Sequence, residues 1–516
     1  MYFTSAAFLI FLAAVFVLYY SAGNHQWQVL LAASAFFYVF SGIQYLLYLS
    51  ATITTVYIAA RKIQALRDAQ MRLLANAERS GKKEIKERMK ARQRRWMILC
   101  LAVNLGILAV VKYSAFAISS IGTIFSISSP ETDAFFRFAL PLGISFYTFQ
   151  SIGYLIDVYR GKPAERNPFR FALFVSFFPQ MIQGPISRFD DLSQTLFGRH
   201  KFDAQVFSAG MRRVLWGFFK KLVVADRMLI AVRVLSADTD AYNGAFVLVH
   251  MLFYAITLYS DFSGGIDITI GIAQAMGIRV KENFDRPFYS KNIAEYWRRW
   301  HITMGTWFKD YLFYPLSVSR PMLQCSKLSR KKLGDGFGRR LPVYISTIII
   351  WFATGIWHGA SWNFIVWGLA NGIVIILSQE CAPLYGRFHK RFSIGHTRAY
   401  GAFQIFRTFW LMSFIRMFDV YRDVPLTFKM YGSIITDFGG YSGFAGLGLT
   451  FADYVIAGLG CGIMILAGIV MQREAGWLDK RPVRNGLACA VLLIATLVFG
   501  IYGVGYDANQ FIYNQF

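Results

Sequence analysis

An all-α, polytopic integral membrane protein is the fold class this sequence predicts, and three observations predict it. Apolar runs long enough to cross a bilayer recur from one end to the other. The residues are 55% hydrophobic and 17% aromatic, against 16% charged. The Lys and Arg behind a net charge of +25 gather between the apolar runs. A helix crosses the hydrocarbon with about 20 apolar residues, so the chain has room for roughly 10–13 spans or half-spans. A single membrane domain over residues 1–516 is the economical reading. So basic a chain also suits a nucleic-acid binder, but charges confined to inter-run segments follow the positive-inside rule and face anionic lipid, so no nucleic-acid partner is expected. Cys100, Cys325, Cys381, Cys461 and Cys489 lie far apart without metal-like spacing, which argues against a disulfide framework and a metal site.

Taken in order, the opening run to Gly23 has small and apolar residues but no basic n-region, and reads as an uncleaved first span that starts outside the cytoplasm. Trp27 to Ala60 is too long for one straight span, at about 51 Å. Ser41-Gly42 divides it in two. Three spans then deliver Arg61 to the cytoplasm, where the basic segment 61–95 carries 13 Lys or Arg against 4 Asp or Glu. Its helical pattern predicts a helix lying along the membrane surface. Spans follow near Trp96–Ile118 and Ala139–Tyr159. FVSFFPQMIQGPISR then sets Gln180 and Gln183 among prolines and a glycine. Broken backbone at membrane depth needs a protein or water-filled setting, so a re-entrant element is predicted there, with Gln180 lining a cavity.

Apolar segments near Met211–Leu235 and Gly244–Tyr259 lead into YSDFSGGIDITIGIAQAMG. Its glycines predict a helix break whose freed backbone groups Asp261 and Asp267 satisfy, a structural role favoured over direct chemistry. Arg320 to Arg340, with seven basic residues and one acidic, reads as a second cytoplasmic loop. A helical hairpin over Pro342–Trp357 and Ser361–Gln379 returns to a basic patch at Arg387–Arg398. Spans near Ala402–Phe418 and Thr450–Met471 precede a fourth basic loop at Arg473–Arg484. The last span, Gly486–Tyr502, leaves the tail 506–516 outside, so both termini are expected to be extracytoplasmic. No convincing internal repeat is present, which weighs against an inverted-repeat transporter.

Two histidines stand out. His358 sits in WFATGIWHGASW, where an ionisable group in a lipid-compatible run is by default a functional candidate. Gly355 and Gly359 flank it, and would let a backbone or a substrate approach the ring. His301 lies in YWRRWHITMGTWFKDYLFY, with Gly305 at i+4. Read as one helix, that segment lines up Trp297, Trp300, Met304, Trp307 and Tyr311, with Arg298, Arg299 and Lys309 nearby. Interfacial anchoring with snorkelling cations accounts for the tryptophans and arginines, but not for His301. If both helices ran straight, each histidine would lie about 26 Å along its helix from the cytoplasmic side, which allows the two to meet. A buried histidine satisfied by a carbonyl is the alternative reading for either one alone.

In order along the chain, SFFPQMIQGPISRF, YSDFSGGIDITIGIAQAMG, ENFDRPFYSKNIAEYWRRWHITMGTWFKDYLFYPL and GIWHGASWNFIVWGLANG resemble the membrane-bound O-acyltransferase superfamily. They are most similar to its bacterial alginate O-acetyltransferase branch. The resemblance is strong over Leu140–Gly372. It implies a multi-helix fold around a central tunnel through a thinned membrane core, with His358 catalytic, His301 the second characteristic polar position, and Gln180, Asp261, Asp267 and Trp357 lining or supporting the tunnel. It implies passage of an acyl group, expected to be acetyl, from a cytoplasmic thioester toward an extracytoplasmic polysaccharide or envelope polymer. The cosubstrate would be acetyl-CoA or an acyl-carrier thioester, with no bound cofactor. An imidazole with ordinary pKa near 6.5 suits the proton transfer such chemistry needs, which favours His358 as base with His301 steadying the acyl carbonyl or its developing charge. Arg298, Arg299 and Lys309 are candidates for holding the donor phosphates, with interfacial anchoring the better reading for the arginines.

FIYNQF, at the tail, resembles a motif found in envelope acylation systems. That resemblance implies that Tyr513 carries the acyl group briefly as a phenolic ester, passing it to a serine on an extracytoplasmic SGNH-type partner; an aromatic interface anchor is the other reading. The chain departs from the branch at Ser317-Val318-Ser319-Arg320, where Gly-Gly-Asn-Arg is usual, and at DFSGGID, where DFSGYSD is usual. The first departure bears on donor recognition or a cytoplasmic partner. A polytopic transporter or polymer-export channel would also use broken helices with buried Asp and His, and a bis-histidine haem protein would use the two imidazoles as axial ligands. Coupling to an ion gradient and a visible absorption spectrum, respectively, separate these readings.

Overall fold

The computed structural model describes residues 1–125, 141–437, 443–473, 481–503 and 506. Among them the secondary structure is helical apart from one isolated antiparallel bridge, Phe284 with Trp300. Seven described helices are long and apolar enough to cross a membrane, and Ala6–Ser21 is a shorter apolar one. The chain divides into two compact units, residues 1–207 with 272–280, and residues 208–271 with 281–516.

The first unit opens with α1 (Ala6–Ser21), whose end is held by the Tyr19 hydroxyl donating to the Met276 carbonyl at 3.0 Å. α2 (Gln26–Val39) stops where predicted, because Gly42 takes φ 137°, a value open to a residue without a side chain. α3 (Leu46–Ala75) and α4 (Lys82–Phe125) then form a long hairpin. Segment 61–95 therefore does not lie apart along a surface. It forms the ends of these two helices, joined side by side by Gln93 donating to Gln70 at 2.8 Å. Continuous backbone hydrogen bonding carries each helix past its apolar stretch, so the basic residues extend it rather than start a new element.

α5 (Ile144–Arg160) is followed by the broken element read from FVSFFPQMIQGPISR: α6 (Pro168–Ser176), buried toward its end, and the fully buried six-residue α7 (Phe178–Gln183). The break is repaired by side chains. Ser34 accepts from the Phe178 amide at 3.1 Å, and Gln180 donates to the Pro185 carbonyl at 3.1 Å and to Ser187 Oγ at 2.6 Å. Gln180 thus spends its amide N–H groups on the local turn, one on backbone and one on a hydroxyl. α8 (Phe189–Leu196) leads to α9 (Ala204–Phe218), which runs into the second unit.

There α9 passes into a π-helical turn, Phe219–Ala225, and then α10 (Asp226–Ala237). α11 (Ala245–Ala275) is a single continuous helix through YSDFSGGIDITIG. The helix break expected around Asp261 and Asp267 is absent. The glycines instead permit a close crossing: a methyl on Gly264 would stand 2.9 Å from the Gly217 carbonyl oxygen, and one on Gly271 would stand 2.8 Å from that of Gly210. The carboxylates meet cations rather than freed backbone. Lys220 Nζ lies 2.6 Å from Asp267 and Lys221 Nζ 2.6 Å from Asp261, while Arg213 also pairs with Asp267 at 2.9 Å.

Segment 296–314 is not one helix. α12 (Ile293–Arg299) and α13 (Ile302–Phe308) are separated at Trp300-His301, and a π-helical turn Lys309–Phe313 precedes the short α14 (Tyr314–Ser317). The straight-helix depth of His301 therefore does not apply. α15 (Arg320–His358) includes the basic stretch predicted as a loop, with a sharp bend at Gly334 where φ is 80°. Ser329 Oγ donates across that bend to the Gly338 carbonyl at 2.8 Å, so the stretch is two packed helical segments rather than loose chain. α16 (Trp362–Glu380) completes the predicted hairpin. After α17 (Ala382–Phe392) come α18 (Arg398–Tyr421), α19 (Val424–Thr436), α20 (Phe451–Arg473) and α21 (Pro482–Phe499).

Candidate active site

His301 is placed by a backbone conformation few side chains adopt. Its φ of 47° and ψ of 53° are left-handed, costing of order 1–2 kcal/mol, and such strain persists only where surrounding bonds hold it. Asn283 provides them. Its carbonyl accepts from the Ile302 amide at 2.9 Å, and its side-chain Oδ1 accepts from the Thr303 amide at 3.0 Å and the Thr303 hydroxyl at 2.9 Å. A backbone N–H can only donate, which identifies that side-chain atom as oxygen.

His301 Nδ1 lies 3.2 Å from the same Oδ1. The acceptor requires a proton on Nδ1, so the neutral ring carries its lone pair on Nε2. Burial, reinforced by the Arg416 guanidinium, pushes the imidazole pKa down to about 3, so it stays neutral at physiological pH. A neutral ring in this tautomer presents an acceptor at Nε2, not the donor that steadying an oxyanion requires.

His358 ends α15, just before the turn into α16. The glycines around it serve the neighbouring helix: methyls on Gly355 and Gly359 would run into the Phe364 carbonyl and the Phe364 ring, respectively. Of the two partners predicted for these glycines, Gly355 meets another backbone, while Gly359 meets a side chain of that same neighbouring helix. His358 packs edge-on against Trp367, with ring centroids 4.6 Å apart. The Trp357 indole neighbours both histidines, 5.1 Å from the His358 ring and 6.0 Å from the His301 ring. The two imidazoles are therefore no farther apart than the sum of those distances. All three residues are buried.

Beneath them lies a group missed in the sequence. Arg416 of α18, 6% exposed, sets its guanidinium over Trp300 at 4.7 Å, Trp367 at 5.3 Å and Trp297 at 5.6 Å, and pairs with buried Asp419 at 3.1 Å. The same cation thus touches the residue before His301 and the ring against His358. Trp297 Nε1 donates to Asn371 Oδ1 at 3.2 Å, tying α12 to α16. Arg416 and Asp419 sit three apart in FWLMSFIRMFDVY, and the cost of buried charge that singles out His358 singles them out equally.

The other candidates fall elsewhere. Asp261 and Asp267 are neutralised by Lys221 and Lys220, whose sequence signal was two lysines inside FFKKLVV. Arg299 pairs with Glu295 at 2.7 Å, Arg298 is exposed, and exposed Lys309 lies 5.6 Å from the Tyr314 ring. Gln180 belongs to the first unit. Tyr513 lies outside the described residues.

Comparison with known proteins defines the class. Residues 165–328 match the model of the membrane-bound O-acyltransferase family. The chain is 35% identical over 383 residues, 73% of its length and 69% of the relative's, to a protein of Azotobacter vinelandii named "Probable alginate O-acetylase". It is 31% identical over 393 residues, 70% of this chain and 66% of the relative, to a peptidoglycan O-acetyltransferase of Helicobacter pylori. A teichoic acid D-alanyltransferase of Bacillus subtilis is 27% identical over 257 residues, covering 49% of this chain and 61% of its own. The fold and these similarities define a multi-pass membrane acyltransferase that works on an acyl donor substrate. This chain belongs to the membrane-bound O-acyltransferase family.

Proposed function

We propose that the protein takes an acetyl group from a cytoplasmic thioester, acetyl-CoA, and passes it across the membrane toward an extracytoplasmic polysaccharide. The observation that carries this reading is the convergence of His301 and His358, from separate segments, on the one indole of Trp357. His358 acts as general base, taking the proton of the attacking hydroxyl as oxygen bonds to the thioester carbonyl carbon and the thiolate leaves. His301, its lone pair on Nε2, accepts a hydrogen bond that orients the reacting hydroxyl. The relatives' printed names, with alginate, peptidoglycan and teichoic acid as acceptors, favour an envelope polymer or exopolysaccharide.

In this reading the first hydroxyl attacked is that of Tyr513, whose phenolic ester then passes the acetyl group to a serine of an extracytoplasmic SGNH-type partner. Both termini face outward, and exposed Arg298 and Lys309 meet the donor's phosphates. The test supplies radiolabelled acetyl-CoA to membranes containing the wild type, His358→Ala or Tyr513→Phe. Label should reach Tyr513 and then an external glycan in the wild type, and neither in the variants. Full transfer by correctly folded His358→Ala would overturn the base, and full transfer by Tyr513→Phe would overturn the relay.

A further inference from the structure

The π-helical turn at Phe219–Ala225 has a consequence for the chain that follows α21. In an α-helix the Asp226 amide would bond to the Leu222 carbonyl, but here it reaches back to Lys221. The Leu222 carbonyl instead accepts from the Ile501 amide at 3.0 Å. Two further bonds follow in register. Arg227 Nη2 donates to the Phe499 carbonyl at 2.5 Å, and the Tyr506 hydroxyl donates to Asp226 Oδ2 at 2.9 Å. The other oxygen of Asp226 pairs with Lys221 at 2.7 Å, and the same ammonium holds Asp261 at 2.6 Å.

Asp261 adjoins Phe262, whose ring packs edge-on against the His301 imidazole with centroids 4.9 Å apart. An unbroken series of contacts thus runs from Tyr506 to the candidate site: Tyr506, Asp226, Lys221, Asp261, then Phe262 and His301. Lys221, Asp226 and Asp261 are all at most 3% exposed, and a carboxylate buried with its cation is a fixed rather than a fluctuating anchor.

We propose that this clasp is a tether, with Asp226 and Tyr506 as positioning residues that set where the following chain can reach. The proposal rests on the relay reading of Tyr513. Tyr513 lies seven positions beyond Tyr506, on a leash that reaches about 25 Å at full extension. The anchor is joined to the His301 ring through four successive contacts and one peptide step. Fixing the leash at Tyr506 raises the effective concentration of the Tyr513 hydroxyl at the imidazoles, as a linker does for a second binding event. It also gives the buried Lys221 a purpose that the chemistry does not require, since that lysine locks the tail's anchor to the helix that carries Phe262.

The test measures the rate at which Tyr513 takes label from radiolabelled acetyl-CoA in the full-length protein, comparing wild type, Tyr506→Phe, Asp226→Asn and the double variant. Tyr506→Phe removes only a hydroxyl, and hydrogen exchange outside residues 499–506 checks that the fold is retained. The tether predicts about a tenfold fall for Tyr506→Phe, at least as large a fall for Asp226→Asn, which also loses the Lys221 ion pair, and no further fall when Tyr506→Phe is added to Asp226→Asn, because the tyrosine hydroxyl acts only through Asp226. It also predicts faster exchange of the Ile501 amide in Tyr506→Phe. Labelling of Tyr513 at the wild-type rate in Tyr506→Phe, or single effects that multiply in the double variant, would overturn the tether and leave the relay standing. If transfer proceeds while Tyr513 in the wild type takes no label, the relay falls and the tether with it.

Discussion

Replacing Asn283 with Asp tests how the His301 ring is held. The isostere keeps an acceptor for the Thr303 amide, the Thr303 hydroxyl and His301 Nδ1, now at 3.0, 2.9 and 3.2 Å from Asn283 Oδ1. It adds a negative charge in direct contact with the imidazole. An opposite charge that close raises a pKa by 1–3 units, which takes His301 from about 3 to a window between about 4 and 6. Transfer needs the lone pair on Nε2, so protonation there is inhibitory. The ratio of variant to wild-type transfer should be flat at and above pH 7 and fall as pH drops through that window. Using the ratio cancels groups common to both proteins, including the acceptor and the donor. Asn283→Ala is the contrast: it strands three donors and releases a left-handed residue, which costs about 3 kcal/mol or more and shows as a lowered melting temperature in detergent. A folded Asn283→Asp protein whose activity ratio does not change between pH 4.5 and 8 would refute the assignment of tautomer and role.

Three further perturbations follow from the same geometry. Arg416→Gln leaves Asp419 buried without its cation and should cost about 3–5 kcal/mol, more than half of it recovered by adding Asp419→Asn; thermal unfolding of the four proteins measures the coupling. Gly355→Ala forces α15 away from Phe364, costing about 1–3 kcal/mol and reducing transfer more steeply than it lowers the melting temperature, because His358 is carried on the displaced turn. Lys221→Met leaves two buried carboxylates facing each other and should cost about 3–5 kcal/mol, a loss that Asp261→Asn in the same chain partly restores.

Much of this arrangement is legible in the sequence where a local rule acts alone. The stop at Gly42, the broken FVSFFPQMIQGPISR element and the α15/α16 hairpin follow from glycine, proline and apolar run length. His358 is legible because a titratable ring in an apolar run is costly. Reading fails where tertiary contact overrides a local signal. Gly264 and Gly265 suggest a break in isolation, yet α11 is continuous because Gly264 serves a helix crossing with Gly217. The stripe from Trp297 to Tyr311 suggests one helix, yet Asn283, some 18 residues upstream, bends the chain at His301. Lys220, Lys221, Arg416 and Asp419 obey the rule that singles out His358. They escape because Lys220 and Lys221 fall inside the apolar segment near Met211–Leu235, and Arg416 and Asp419 at the end of the apolar span near Ala402–Phe418, where the surrounding run reads as a whole.

The indole of Trp357 is a neighbour common to two rings, and a shared neighbour couples the groups that rest on it. Removing either imidazole opens space beside that indole, letting it tilt and shifting the ring that remains. Kinetic losses from His301 and His358 substitutions should therefore fail to multiply, with the double variant barely worse than the poorer single. Ranking the two histidines by single substitutions would then measure the give of one tryptophan as much as the chemistry of either ring.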